Sequence, residues 1–333
     1  MQMNNSDKIT RIERALDLLS ALETDCTLCP RECHVDRRAD KTGVCRTGNL
    51  ARVSHALLHF GEEPVLSGRI GAKPHRKGLS PAAGSGTVFF AGCNLMCLFC
   101  QNYQLSWLNE GRDTEDEELA GMMLDLEARG ALNINLVSPT HVILPILRGL
   151  KIAYSKGLSL PLVYNSNGYE SLQAIRALDG IVDIYLPDLK YRSPHLSRKY
   201  AGAADYFPHA SKAVLEMYCQ QPSYILDENQ VARSGVIIRH LVLPGCVEDS
   251  LAVLDWISEK ISPFVGLSLM SQFHPCHKAP AELRRPLTRE EYKRVADHAA
   301  NLGFENAFVQ PEPFSPDEHL IPDFRKKVPF RWK

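Results

Sequence analysis

From residue 87 onward short apolar runs alternate with longer amphipathic stretches, the pattern of a parallel sheet with crossover helices. The first run, Thr87-Val-Phe-Phe-Ala91, is β-branched and aromatic and lies among Gly84, Gly86 and Gly92, which predicts a short buried strand. Further strands are expected over 133–138, 162–165, 181–186, 236–243 and 265–273, with a small hairpin over 224–231. Between them a helix is expected over 114–130, with Thr114 and Glu117 as its capping box and Leu119, Met122, Met123 and Leu126 as its buried stripe. Its acidic start, 115–118, suits the positive end of the helix dipole. Other helices run up to Gly157 and over 250–262 and 288–302, completing six strand–helix units.

Upstream of residue 86 the pattern changes. A helix is predicted over 6–23, capped by Ser6, with Ile9, Ile12, Leu16 and Leu19 on one face. Residues 50–63 carry His55 and His59 four apart, which would share a face if the segment is helical, followed by Glu62 and Glu63. Residues 67–85, rich in Gly, Pro and Ser and containing Lys73, His75, Arg76 and Lys77, read as an exposed loop. The expected division is a cysteine-bearing extension over 1–85, a body over 86–310 and a tail over 311–333.

Composition narrows the function classes. The net charge of −1 gives no field that would draw a nucleic acid or an anionic membrane, and neither partner is expected. No run of eighteen apolar residues occurs and residues 1–10 are polar, so a cytoplasmic protein is expected. Seven of the ten cysteines fall in two tight groups, which favours metal binding over disulfides.

The sharper group is Cys93, Cys97 and Cys100, which leaves the end of the predicted strand on one loop. Three thiolates hold three corners of a cubane cluster and leave one iron without a protein ligand, whereas structural zinc takes four ligands. An open iron is what a small molecule needs if it is to bind the cluster and be reduced there. The other group, Cys26, Cys29, Cys33 and Cys45, has enough thiols to close the shell of a zinc ion or to hold a second iron–sulfur cluster. Its spacing does not match the bacterial ferredoxin run.

The C-x3-C-x2-C spacing, with Phe99 before the last cysteine, resembles the radical S-adenosylmethionine (SAM) superfamily. The stretches G-C-N-L-M-C-L-F-C-Q-N, Y-N-S-N-G, D-I-Y-L-P-D-L-K-Y and R-H-L-V-L-P-G are most similar to its pyruvate formate-lyase activating branch, in particular to activase-like proteins with an N-terminal cysteine motif. The resemblance implies a partial (β/α)6 barrel over about 86–310, a [4Fe–4S] cluster on Cys93, Cys97 and Cys100, and reductive cleavage of SAM to a 5′-deoxyadenosyl radical. It implies cofactor contacts from Asp188 and Lys190, from His274 at the end of strand six, and from the segment containing Asn165 and Asn167. Where activases carry a G-G-E segment this chain has Val137-Ser-Pro-Thr-His141, so the Thr140 hydroxyl and exposed backbone carbonyls are the expected acceptors. The family also implies flavodoxin or ferredoxin as electron donor and hydrogen abstraction from a protein or small-molecule substrate, glycyl-radical activation among the options. Cys276, between His274 and His277, is a candidate for returning a hydrogen atom to a substrate radical. The competing class is a non-catalytic metal-binding module that presents a surface to a partner.

Overall fold

The computed structural model describes residues 4–70, 73–74, 83–310 and 321–330. Its main sheet contains β1 (Ala51–His59), β2 (Gly84–Phe90), β3 (Arg112–Thr114), β4 (Ala131–Val137), β5 (Leu162–Ser166), β6 (Ile184–Pro187), β7 (Ala232–Leu241), β8 (Gly266–Met270) and β9 (Ala307–Val309). Their order is β9-β8-β7-β6-β5-β4-β2-β1-β3. From β2 to β9 every neighbouring pair in that order is parallel, while β1 pairs antiparallel with both β2 and β3. Strands that follow one another in the chain also lie side by side along the parallel run. That is the winding of a barrel rather than of a doubly wound sheet. Among the described residues the two ends, β9 and β3, are not joined, so the barrel is partial. The short strand Ile225–Leu226 pairs with the start of β7, where the hairpin was expected.

The interior is filled at one end by a plug. Pro64–Ser67 forms a single helical turn whose Val65 and Leu66 pack against Val163, Ile184, Leu186, Ala232 and Ile237 from β5, β6 and β7. Apart from Ala232, these are β-branched and γ-branched side chains of the kind that fill barrel layers. Outside, the helix Asn5–Leu19 lies along Ile143–Ser155, and buried Lys8 reaches Asp183 at 2.5 Å. A buried ammonium of this kind is tolerated only with such a partner.

Several expectations change for local reasons. The first helix is capped by Asn4, whose side chain accepts from the Asp7 amide, and not by Ser6. Residues 51–59 are the strand β1 rather than a helix, and they join the sheet of the body although they precede residue 86. Thr114 ends β3 and donates to the Arg112 carbonyl, so the helix Asp116–Ala128 starts without the expected capping box. A capping box does form at Thr288 and Glu291, ahead of Arg289–Asn301. The helices Leu172–Ala177, Pro194–Ala201 and Tyr206–Gln220 and the strand β9 had no counterpart in the sequence reading. Within the expected loop 67–85, Arg69–Ile70 pairs with Lys73–Pro74, and His75, Arg76 and Lys77 lie outside the described residues.

Candidate functional site

A cavity of about 600 Å³ opens where the parallel strands end. Its wall takes a residue or more from the carboxyl end of nearly every one: Gly92 and the cysteine loop after β2, Ser138 after β4, Asn165 to Asn167 at β5, Asp188 and Lys190 after β6, Leu241 at β7, and Gln272 after β8. This is the end of a barrel at which side chains from many strands converge.

Cys93, Cys97 and Cys100 all line that cavity. The loop that carries them turns sharply, with Met96 at φ 61° between the first two, a left-handed conformation that a non-glycine residue adopts at a cost of about 1–3 kcal/mol. It is held from both sides. The Leu98 amide donates to the Tyr200 carbonyl, the Lys278 amide to the Leu98 carbonyl, and the Trp107 indole to the Cys97 carbonyl at 2.8 Å. Phe99 is buried edge-on to both Phe273 and Tyr200, which closes the back of the loop to water.

The polar surroundings of the three sulfurs favour negative charge. Asn167 Nδ2 and the Leu95 amide each lie 3.4 Å from Cys93 Sγ. The hydroxyls of Ser106 and Tyr191 are buried with no hydrogen-bond partner among the described residues, and they face Cys100 and Cys97. Burial pushes the Cys97 thiol up to about 12 and that of Cys100 to about 11, and the Lys190 ammonium pulls both down. Lys190 itself lies 2.5 Å from Asp188 and stays charged: burial works against its proton, but Asp188 and the thiols outweigh it. Cys97 and Cys100, whose thiols burial raises, and Cys93 beside them, ringed by donors and one cation, form a set suited to thiolates bound to a metal. The two orphaned hydroxyls are the donors that the sulfurs of an iron–sulfur cluster would accept from. Among the described residues no three His, Cys, Asp or Glu side chains meet at a single-ion position. A cubane, being larger than an ion, spreads its thiolates wider.

The floor of the cavity was not foreseen. Arg239 of β7 is half-buried and binds Glu63 through Nε at 2.8 Å and both Glu62 and Glu63 through Nη2. Glu62 also receives Asn135 Nδ2 at 3.0 Å and faces His59 at 3.1 Å. Burial would raise the Glu62 carboxyl, but Arg239 and His59 hold it well below the ordinary carboxylate range. Beside the site, Glu170 is buried and accepts from Thr140 Oγ1 at 2.6 Å; burial lifts its carboxyl to about 7.

Of the residues expected to bind a cofactor, Asn165, Asn167, Asp188 and Lys190 line the cavity. Thr140 does not: its hydroxyl is committed to Glu170, and Ser138, at φ 60°, takes the place on the wall. His274 is also off the lining, where Gln272 is the nearest contributor from the same segment. The Cys276 thiol donates to the Phe99 carbonyl at 3.3 Å behind the cysteine loop, and burial raises it to about 12. Cys276 is not on the cavity lining, and its burial favours the protonated thiol. His55 and His59 share a face because alternate residues of a strand do, and they contact the tail: His55 Nε2 meets the Lys326 carbonyl, and His59 packs on Phe330. Cys26, Cys29 and Cys45 are buried and Cys33 is half-buried, on the loop after the first helix. No helix among the described residues is long and apolar enough to cross a membrane.

No protein-family model matches the chain. It is 28% identical over 303 residues to the uncharacterized protein MJ0674 of Methanocaldococcus jannaschii, a match that spans 86% of this chain and 78% of that protein. A second uncharacterized protein of the same organism, MJ0808, is 23% identical over 267 residues, or 76% of this chain and 71% of that one. Among solved structures, methylornithine synthase (PylB) aligns over 65% of this chain with 18% identity and a TM-score of 0.45. The chain spans 60% of that structure's length, less than two thirds.

Proposed function

We propose that the chain is an enzyme of the radical SAM type, with a [4Fe–4S] cluster on Cys93, Cys97 and Cys100 and SAM in the cavity beside it. The observation that carries this reading is the meeting of those three thiols with Asp188, Lys190, Asn165 and Asn167 in one cavity at the carboxyl ends of the strands. When bound, a cluster with an open iron supplies the electron that splits the sulfonium of SAM and begins hydrogen abstraction.

The chain's own residues do the rest. Asp188 and Lys190 offer an anion and a cation side by side, which complements the amino and carboxylate groups of the methionine end of SAM. The Lys190 charge also offsets that of the thiolates. Asn167 fixes the rim by bonding both Cys93 and Asn94. Phe99, Phe273 and Tyr200 keep water from the back of the loop, which protects a reactive radical from quenching. A one-electron carrier of the flavodoxin or ferredoxin type is the donor in this reading, and a protein or small molecule gives up the hydrogen atom. Activation of a glycyl-radical protein is the narrower version and rests on the likeness to activases alone.

The test is anaerobic reconstitution with iron and sulfide, followed by dithionite and SAM. Formation of 5′-deoxyadenosine that depends on Cys93, Cys97 and Cys100 is the expected result. Cluster-loaded protein that leaves SAM intact would overturn the proposal in favour of a non-catalytic metal-binding module.

A further inference from the structure

The loop between the first helix and β1 brings four cysteines together in an arrangement that ordinary thiols do not explain. Three of the four sulfurs, those of Cys26, Cys33 and Cys45, receive a hydrogen bond from nitrogen. Arg37 donates through Nε to Cys26 at 3.2 Å and through Nη2 to Cys45 at 3.1 Å. The Val44 amide lies 3.4 Å from Cys33 Sγ. A neutral thiol is a weak acceptor, so N–H groups aimed at sulfur, two of them from one guanidinium, suit sulfurs that carry the charge of metal ligands. Arg37 is 5% exposed, with its remaining terminal nitrogen, Nη1, on the His141 carbonyl, so its positive charge is buried beside those sulfurs and needs negative charge there. The loop also takes up left-handed backbone at Glu32, His34, Asp40 and Arg46, four non-glycine residues within fifteen positions, a cost that an ordinary surface loop has no reason to bear.

The same loop grips the other cysteine set. Arg31, two residues after Cys29, donates to the Asn94 carbonyl at 2.8 Å and to the Leu95 carbonyl at 3.1 Å. Gly92 at φ +85° lies so close to the Cys45 carbonyl that a Cβ there would come within 2.6 Å of it.

We propose that Cys26, Cys29, Cys33 and Cys45 bind a second iron–sulfur cluster, with Arg37 as its buried counter-cation and Arg31 as the tie that braces the loop of Cys93, Cys97 and Cys100. Four thiolates complete a cubane, and donors aimed at its ligand sulfurs together with a buried cation suit the charge of such a cluster. This inference stands apart from the reading of the three-cysteine set, since it concerns different ligands.

The test uses the full chain purified without oxygen, as wild type and as a Cys93→Ala, Cys97→Ala, Cys100→Ala variant that lacks the first set altogether. Iron, acid-labile sulfide and zinc are measured per chain, with circular dichroism to check folding. The triple variant is expected to retain an iron–sulfur cluster, and adding Cys26→Ala and Cys29→Ala is expected to remove it. Zinc in its place, or a folded triple variant free of iron, would overturn the proposal. If the triple variant does not fold, Cys26→Ala with Cys29→Ala in the wild-type background decides instead: loss of about half the iron and sulfide supports the second cluster, and unchanged content refutes it. Arg37→Met is expected to shift the reduction potential of the second cluster to a more negative value while Arg37→Lys restores part of it, and no shift would remove Arg37 from the account.

Discussion

The Lys190 ammonium lies 2.5 Å from the Asp188 carboxylate, on the cavity wall and within the electrostatic reach of Cys97 and Cys100. Two residues apart on the loop after β6, they place opposite charges where a zwitterion would be recognised. Asp188→Ala and Lys190→Met should each weaken SAM binding by about 1.5–3 kcal/mol, or roughly ten- to a hundred-fold. Iron content should be unchanged, and equilibrium dialysis with SAM checks both. Unaltered affinity in the two variants would mean that the pair is structural.

Arg239 holds Glu62 and Glu63 beneath the cavity, and removing it strands two buried carboxylates. Arg239→Leu should cost about 3–5 kcal/mol in urea unfolding, and the added changes Glu62→Gln and Glu63→Gln should recover part of it. The pair also sets an acid limb. Because the Glu62 carboxyl is held below the ordinary carboxylate range in the folded protein, its contribution is complete above that range and is lost as the pH falls through its lowered value. Arg239→Leu should therefore flatten the loss of stability in acid; an unchanged slope would mean that the ion pair contributes nothing to it.

Glu170 predicts the opposite trend. Its carboxyl is lifted to about 7, so the folded protein keeps a proton that the unfolded chain has already lost, and folding is opposed increasingly as the pH climbs from the carboxylate range through 7. Glu170→Gln keeps an acceptor for Thr140 and removes that penalty. The variant should gain stability relative to wild type above pH 7 and lose the gain in acid, as read by melting temperature across a pH series.

Gly168, at φ +79°, brings the loops after β5 and β6 together so closely that a Cβ would sit 2.2 Å from the Asp188 carbonyl. Gly168→Ala should push Asn167 and Asp188 apart. The backbone alone costs roughly 1–2 kcal/mol in the left-handed region, and the clash adds to it. A lowered melting temperature together with weaker SAM binding is expected; a melting temperature equal to wild type would show that the loops have room to give.

The parts of this site that lie on one short stretch of chain were readable in the sequence. Cys93, Cys97 and Cys100, and Asp188 with Lys190, carry their spacing with them, and the alternation of apolar runs placed them at strand ends. What was not readable is made by distant pairing. Arg239 meets Glu62 and Glu63 across more than 170 residues, and Glu170 meets Thr140 across 30. No local pattern signals either pair, although two adjacent carboxylates after an apolar segment were a visible oddity. The strand β1 shows no clear strand pattern in the sequence for a related reason. Beyond Val53 its residues are all half-buried rather than alternating between buried and exposed, because it is covered on one side by helix Asp116–Ala128 and meets the tail residue Lys326 through His55. The sequence shows only that the Thr140 hydroxyl can accept; in the fold that hydroxyl donates to Glu170.

The most direct measurement of the central claim is the electron paramagnetic resonance spectrum of the reconstituted, reduced protein frozen with and without SAM. If Cys93, Cys97 and Cys100 leave one iron open and the cavity takes SAM beside it, adding SAM must change the signal of the reduced cluster, and Cys97→Ala must abolish that change. A cluster-loaded wild type whose spectrum is identical in the presence and absence of saturating SAM would contradict the account.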